Sequence, residues 1–112
     1  MDEFSMQHEH KGNVTVVTIS GRVDSYTAPT MEAELTKIIP VDKKVVLNLK
    51  DVAFLSSAGV RAVVRALKTA RKSRGDVKLA AIPGHIAEIL TTVGILELVR
   101  SYPSVDEAIA SF

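Results

Sequence analysis

The run Lys44-Val45-Val46-Leu47-Asn48-Leu49 is apolar at successive positions, not alternate ones. A strand with one wet face alternates, so a run of this kind is a strand covered on both faces, which requires helices above and below its sheet. The rest of the chain supplies the other elements. Val14-Thr15-Val16-Val17-Thr18-Ile19 is β-branched throughout and suits a second buried strand. Phe4 to Glu9 is expected to pair with it as a hairpin through the turn residues Lys11-Gly12-Asn13, and Gly21 is expected to break the strand. A helix should start near Ala28, with Thr27 as cap and Pro29 in the first turn, where a missing N–H is tolerated. Ala28, Met31, Leu35 and Ile38 form its apolar stripe, and Pro40 ends it. From Ala58 a second helix carries Val60, Val63, Val64, Leu67 and Ala70 on one stripe, with Gly75 as its stop. Val77 to Ile82 reads as a strand. Pro83 and Gly84 lead into a helix with Ile86, Ile89, Leu90 and Val93 at i, i+3, i+4 and i+7, closed by a left-handed Gly94. Leu98-Val99 is expected to add a strand end. Ser104-Val105-Asp106-Glu107 is a capping box for a terminal helix with Val105, Ala108, Ile109 and Phe112 inward.

The order β-β-α-β-α-β-α-(β)-α predicts an α/β fold with a mixed four- to five-stranded sheet, about four helices and right-handed parallel crossovers. At 112 residues the chain reads as one domain, 1–112, large enough to fold on its core alone. With no cysteine, it has no thiol nucleophile, no disulfide framework and no Cys-ligated metal. Fourteen Lys+Arg against thirteen Asp+Glu leave a net charge of +1, and aromatic residues make up 4%; both argue against a dedicated nucleic-acid binder. The acidic start Met1-Asp2-Glu3 is unlike a signal peptide, and no apolar run approaches the roughly 18 residues that span a bilayer. A cytoplasmic monomer is expected.

Several chemistries are absent from the pattern. Neither a phosphate-binding Gly-x-x-x-x-Gly-Lys-Ser/Thr loop nor a Gly-x-Gly-x-x-Gly fingerprint occurs. Ser56-Ser57 lacks the glycine of a nucleophile elbow, and His85, in the first turn of a helix, is read as a solvent-facing residue. His8-Glu9-His10 places two imidazoles on one face of a strand, which is too few for a metal site. No cofactor, metal or catalytic residue is assigned, and the chain is not expected to be an enzyme.

One segment is informative. Asp51-Val52-Ala53-Phe54-Leu55-Ser56-Ser57-Ala58-Gly59-Val60-Arg61 leaves a buried strand and opens a helix, at the carboxyl end of the sheet where α/β folds collect function. One serine is accounted for as an N-cap. A second hydroxyl followed by Ala58 and Gly59 is more than a cap needs, and it leaves backbone amides open to an anion. The polar stretch Arg22 to Tyr26 is the longest without an assigned element.

Phe54-Leu55-Ser56-Ser57-Ala58-Gly59-Val60-Arg61, taken with Gly21-Arg22-Val23-Asp24-Ser25-Tyr26-Thr27-Ala28-Pro29, resembles the STAS domain of bacterial anti-sigma factor antagonists. The resemblance extends over nearly the whole chain. In the family pattern the strand is followed by Asp-Ser-Ser/Thr-Gly, whose serine accepts a phosphoryl group from a kinase that is also the anti-sigma factor. Counting back from Gly59, the resemblance implies phosphorylation at Ser57. It puts Ser56 at the family's Asp position and Ala58 where the family has a hydroxyl residue. Asp24 matches the family's loop Asp beside the phosphosite. The implied function is partner switching: unphosphorylated protein binds the anti-sigma factor serine/threonine kinase, phosphorylation releases it, and a serine phosphatase resets it. Asp24, Ser56, Ala58, Gly59, Arg61 and Arg65 would meet the partner.

Arg61, Arg65, Lys68 and Lys72 follow one another at i, i+4, i+7 and i+11 as a basic stripe. Two readings stand: the solvated face of an amphipathic helix, or an electrostatic docking surface for an acidic partner. Two other functions also stand beside partner switching. One is an accessory subunit of a membrane transporter complex, since STAS-like domains also accompany anion carriers. The other is a weak nucleotide-binding domain, against which the missing phosphate loop counts.

Overall fold

The computed structural model describes residues 3–112. Five strands form one sheet in the order β1-β2-β3-β4-β5: β1 Ser5–Lys11, β2 Val14–Val23, β3 Lys44–Leu55, β4 Asp76–Ala80 and β5 Ser101–Tyr102. β1 is antiparallel to β2, and the remaining pairs are parallel. The helices are α1 Ala28–Ile38, α2 Ser57–Lys72, α3 Gly84–Thr92 and α4 Val105–Ala110. Strand order in space equals strand order in the chain, so the crossovers through α1, α2 and α3 all advance in one direction. Successive right-handed crossovers advancing one way put their helices on one face. Accordingly Met31, Leu35, Val63, Leu67, Ile86 and Leu90 share a core with Val17, Ile19, Val45, Leu47, Val77 and Leu79. Val14, Val16, Val46 and Ala80 point the other way and are covered by Ala108 of α4, flanked by Tyr102, Val105, Ile109 and Phe112. The successive apolar residues Val45-Val46-Leu47 of β3 are the consequence of this two-sided burial.

The sequence boundaries are corrected at several places. Gly21 does not stop β2: with φ +85° it lets the strand continue to Val23, and any Cβ there would collide with the backbone of Glu3. β3 runs to Leu55, not Leu49. Its register against β2 shifts between Thr18 and Ser20 and again between Gly21 and Arg22, each time with an extra residue on β3. These bulges break the inside–outside alternation at Lys50-Asp51 while keeping Leu49, Val52 and Leu55 in the core. β4 ends at Ala80, because Ala81 adopts φ 56°. Thr27 precedes α1 without capping it. At the end of α2 it is Arg74, φ 61°, that takes the left-handed position. The N–H of Gly75 then reaches back to the carbonyl of Ala70 at 2.7 Å, closing a Schellman turn. Gly75 is required for a different reason: a side chain there would meet the backbone of Lys43. Gly94, φ +76°, does close α3 as the spacing predicts. Leu98-Val99 is no strand, since both N–H groups are turned back to the carbonyl of Ile95; the fifth strand is Ser101–Tyr102.

Among the described residues, no helix is long and apolar enough to cross a membrane. α4 is held by Lys78, which is only 7% exposed. Its Nζ donates to the carbonyl oxygen of Ser111 at 2.9 Å and to the Ser111 hydroxyl at 2.8 Å, and it lies 4.2 Å from the centre of the Phe112 ring. Replacing Gly21 by alanine is expected to lower stability by about 2 kcal/mol or more, through both the positive φ and the contact with Glu3. Urea unfolding of the variant checks this; an unchanged midpoint would contradict it.

Candidate functional site

Because β2 and β3 are parallel and end in register at Val23 and Leu55, the segments that follow them emerge side by side. A hydrogen bond of 2.8 Å from the Ser56 N–H to the Val23 carbonyl joins them. The loop after β2 is organised by Asp24. Its carboxylate accepts the N–H groups of Tyr26 at 2.9 Å and Thr27 at 3.1 Å. The Thr27 hydroxyl accepts the Asp24 N–H at 2.9 Å and donates to the Arg22 carbonyl at 2.8 Å. Thr27 is therefore occupied within the loop, which is why it does not cap α1. The Tyr26 and Thr27 amides hold the Asp24 carboxyl below its usual range, and the Arg22 guanidinium adds to this to a smaller degree.

The two serines are sorted by the start of α2. Ser56 is the N-cap, in extended backbone with φ −84° and ψ 173°, and its hydroxyl oxygen accepts the Gly59 N–H at 3.3 Å. Ser57 is the first helical residue and is exposed, and its hydroxyl makes no hydrogen bond among the described residues. Gly59 is buried because α2 descends closely onto the strand ends. An added Cβ would lie 2.5 Å from Leu55 Cδ1 and 2.8 Å from Val23 Cγ1.

A shallow groove of about 340 Å³ opens between the first turns of α1 and α2, lined by Ser25, Pro29, Glu32, Ala58, Arg61 and Arg65. The structure thus brings the loop after β2 and the predicted Ala58, Arg61 and Arg65 to one place. Arg65 is not free there: its guanidinium donates to Glu32 at 2.9 Å, tying α2 to α1. Arg61 forms no ion pair among the described residues. Lys68 and Lys72 are exposed further along the same helix.

One element of this end was not read from the sequence. Arg22 lies 4.3 Å over the ring of Phe54, which the bulges of β3 turn outward. The signal was present as a large aromatic in a stretch whose alternation had already failed. His85 is exposed as expected, and it also bonds through Nε2 to the Ala53 carbonyl at 2.9 Å, tying the start of α3 to the extension of β3. His8 and His10 are stacked edge-on at 6.2 Å, and His10 pairs with Asp42 at 3.2 Å. No cluster of three metal-ligating side chains occurs among the described residues.

A family profile described as the STAS domain matches residues 5–108. The chain belongs to the STAS domain family. A Bordetella bronchiseptica protein named anti-sigma factor antagonist BtrV is 31% identical over 98 residues, which is 87% of this chain and 84% of that protein. The crystal structure of an anti-sigma factor antagonist from Mycobacterium paratuberculosis superposes with a TM-score of 0.87 at 25% identity, covering 98% of this chain and 94% of that one. The Bacillus cell fate determinant SpoIIAA in its phosphorylated form shares the fold, with a TM-score of 0.74 at 17% identity, over 96% of this STAS chain and 98% of that chain.

The local chemistry of this STAS domain gives two expected outcomes. Asp24 should titrate below the ordinary aspartate value of about 3.9. A carboxyl whose folded pKa is depressed stabilises the fold above its unfolded pKa, and this contribution is lost as pH falls through the folded value. Carbon-detected NMR of the Asp24 carboxyl checks the direction. Gly59→Ala is expected to cost about 2 kcal/mol or more by forcing α2 off Val23 and Leu55. Thermal unfolding compared with Gly84→Ala, where an added Cβ meets nothing, isolates that contact.

Proposed function

We propose that this STAS protein is an anti-sigma factor antagonist that works by partner switching: unphosphorylated, it binds an anti-sigma factor kinase in the cytoplasm, and phosphorylation of Ser57 releases it. The observation that carries the reading is the division of labour at the head of α2. The Ser56 hydroxyl is engaged by the Gly59 N–H, whereas the Ser57 hydroxyl is exposed and unbonded among the described residues. The kinase transfers the γ-phosphoryl of ATP to Ser57 Oγ, ADP leaves, and a base on the kinase takes the hydroxyl proton. The protein is substrate and switch, and a serine phosphatase hydrolyses the ester to reset it.

Electrostatics supports release. The chain carries a net +1, and a phosphate of about −1.5 to −2 charges would bring the total to about −1. The added charge would stand one helical turn before Arg61 on α2, where a partner's carboxylates would otherwise find a cation. Asp24, Ser56, Ala58, Gly59, Arg61 and Arg65 are the residues proposed to shape this surface. Arg65 acts mainly through Glu32, by fixing α2 against α1.

A second reading is favoured by Ala58. It stands directly before Gly59, where the family pattern has a hydroxyl residue, and fits a protein that binds its anti-sigma factor without phosphoryl control. One experiment separates the two. The chain and its Ser56→Ala and Ser57→Ala variants are incubated with the anti-sigma factor kinases of the source organism and ATP, then examined by mass spectrometry and for complex formation. One phosphate lost only in Ser57→Ala, with loss of the complex on phosphorylation, is the expected result. Phosphate that survives Ser57→Ala overturns the site. Stable binding with no phosphate at all establishes the second reading, and no binding overturns both.

A further inference from the structure

Among the large apolar side chains that the fold leaves outside, Tyr26 is the most exposed, at 89%. Val41 precedes β3, and Val93 and Leu98 flank the turn after α3, so these lie at the amino ends of the strands. Tyr26 and Phe54, the latter 37% exposed, lie instead at the carboxyl end, in the segments that lead into α1 and α2. Tyr26 is also held in a rigid frame. Its N–H is bound to the Asp24 carboxylate, and the loop around it is closed by the Thr27 hydroxyl and by the start of α1. A large ring with two side-chain torsions, presented on a loop that is already ordered, loses little conformational freedom when it is covered.

We infer that Tyr26 is the anchor by which this chain holds its anti-sigma factor, and that the partner receives it in an apolar pocket rimmed by carboxylates. The inference rests on the antagonist reading above, and it adds the residue and the chemistry of the partner's site. The rim follows from the charges around the ring. Of the acids near the ring, Glu32 is paired with Arg65, and the Asp24 carboxylate accepts two backbone amides and lies 4.0 Å from Arg22; further back on β3 the charges of Lys50 and Asp51 balance. α2 carries no acidic residue. With Arg22 offset by Asp24, Arg61, which forms no ion pair among the described residues, is the charge left over and gives the surface a positive sign. Tyrosine and arginine side by side are the residue types that dominate protein interfaces when buried at their centre. The phenol hydroxyl, which forms no hydrogen bond among the described residues, needs an acceptor at the bottom of the pocket.

The test titrates purified anti-sigma factors encoded in the source genome against the unphosphorylated full chain. Tyr26→Ala should weaken binding of the factor that recognises wild type by about 30-fold or more, and Tyr26→Phe by less. Val93→Ala should leave affinity unchanged. The Tyr26→Ala protein should melt with wild type, because the ring contributes nothing to the core. Arg61→Gln should weaken binding and flatten its salt dependence. The chain has two tyrosines, so fluorotyrosine labelling gives two resonances; that of Tyr26 should move on complex formation and that of Tyr102 should not. Binding by Tyr26→Ala within twofold of wild type, or an unmoved Tyr26 resonance, overturns the anchor while the antagonist reading stands. An unaltered salt dependence in Arg61→Gln overturns the carboxylate rim. If wild type binds none of the factors, the antagonist reading falls and the anchor falls with it.

Discussion

β2 and β3 lie side by side with their side chains buried on both faces, Val17, Ile19, Val45 and Leu47 on one and Val16 and Val46 on the other. Each such side chain taken from water is worth about 1.5–3 kcal/mol, so the register of this one parallel pair is fixed far more firmly than any surface contact could fix it. Parallel strands in register must end at the same edge. The loop after β2 and the helix after β3 therefore have no choice of neighbour, and the Ser56 to Val23 hydrogen bond records that adjacency. The three crossover helices follow from the same ladder: a sheet that grows strand by strand in one direction receives them on one face and leaves the other to α4.

Relative magnitudes say what positions the functional end. The Arg65–Glu32 pair is exposed and contributes about 0.2–1 kcal/mol. The Ser56 cap is worth about 1 kcal/mol. Both are smaller than the packing of α2 on Val23 and Leu55, a contact that only glycine at position 59 permits. Packing sets where the head of α2 lies, and the polar contacts then select which of its side chains are engaged and which are left open to a partner.

Most of this was legible from the chain. The successive apolar residues Val45 to Leu47 announced a doubly covered strand, and the helical stripes of α2 and α4 fall where their spacing puts them. The failures share a cause. Gly21, Lys50-Asp51 and Gly75 look like punctuation, but their roles are set by contacts distant in sequence: Glu3 against Gly21, β2 against the bulged β3, Lys43 against Gly75. A reading along the chain sees a glycine and infers a stop, whereas the fold uses it as room for a passing backbone. At the site, the serine pair, Asp24 and the arginines were visible as residue types. That Thr27 closes the Asp24 loop, that Arg65 is taken by Glu32 and that Arg22 stacks on Phe54 depends on side chains 3 to 33 positions apart meeting in space.

The cap at the head of α2 has a meaning for chemical selectivity. Ser56 and Ser57 are the same alcohol with the same intrinsic reactivity, separated by one peptide bond. The Gly59 amide takes up one lone pair of Ser56 and orients that hydroxyl along the start of the helix. Two adjacent alcohols that are equivalent in the sequence are thereby made inequivalent by the backbone: one is oriented by the helix start, and the other is left to solvent.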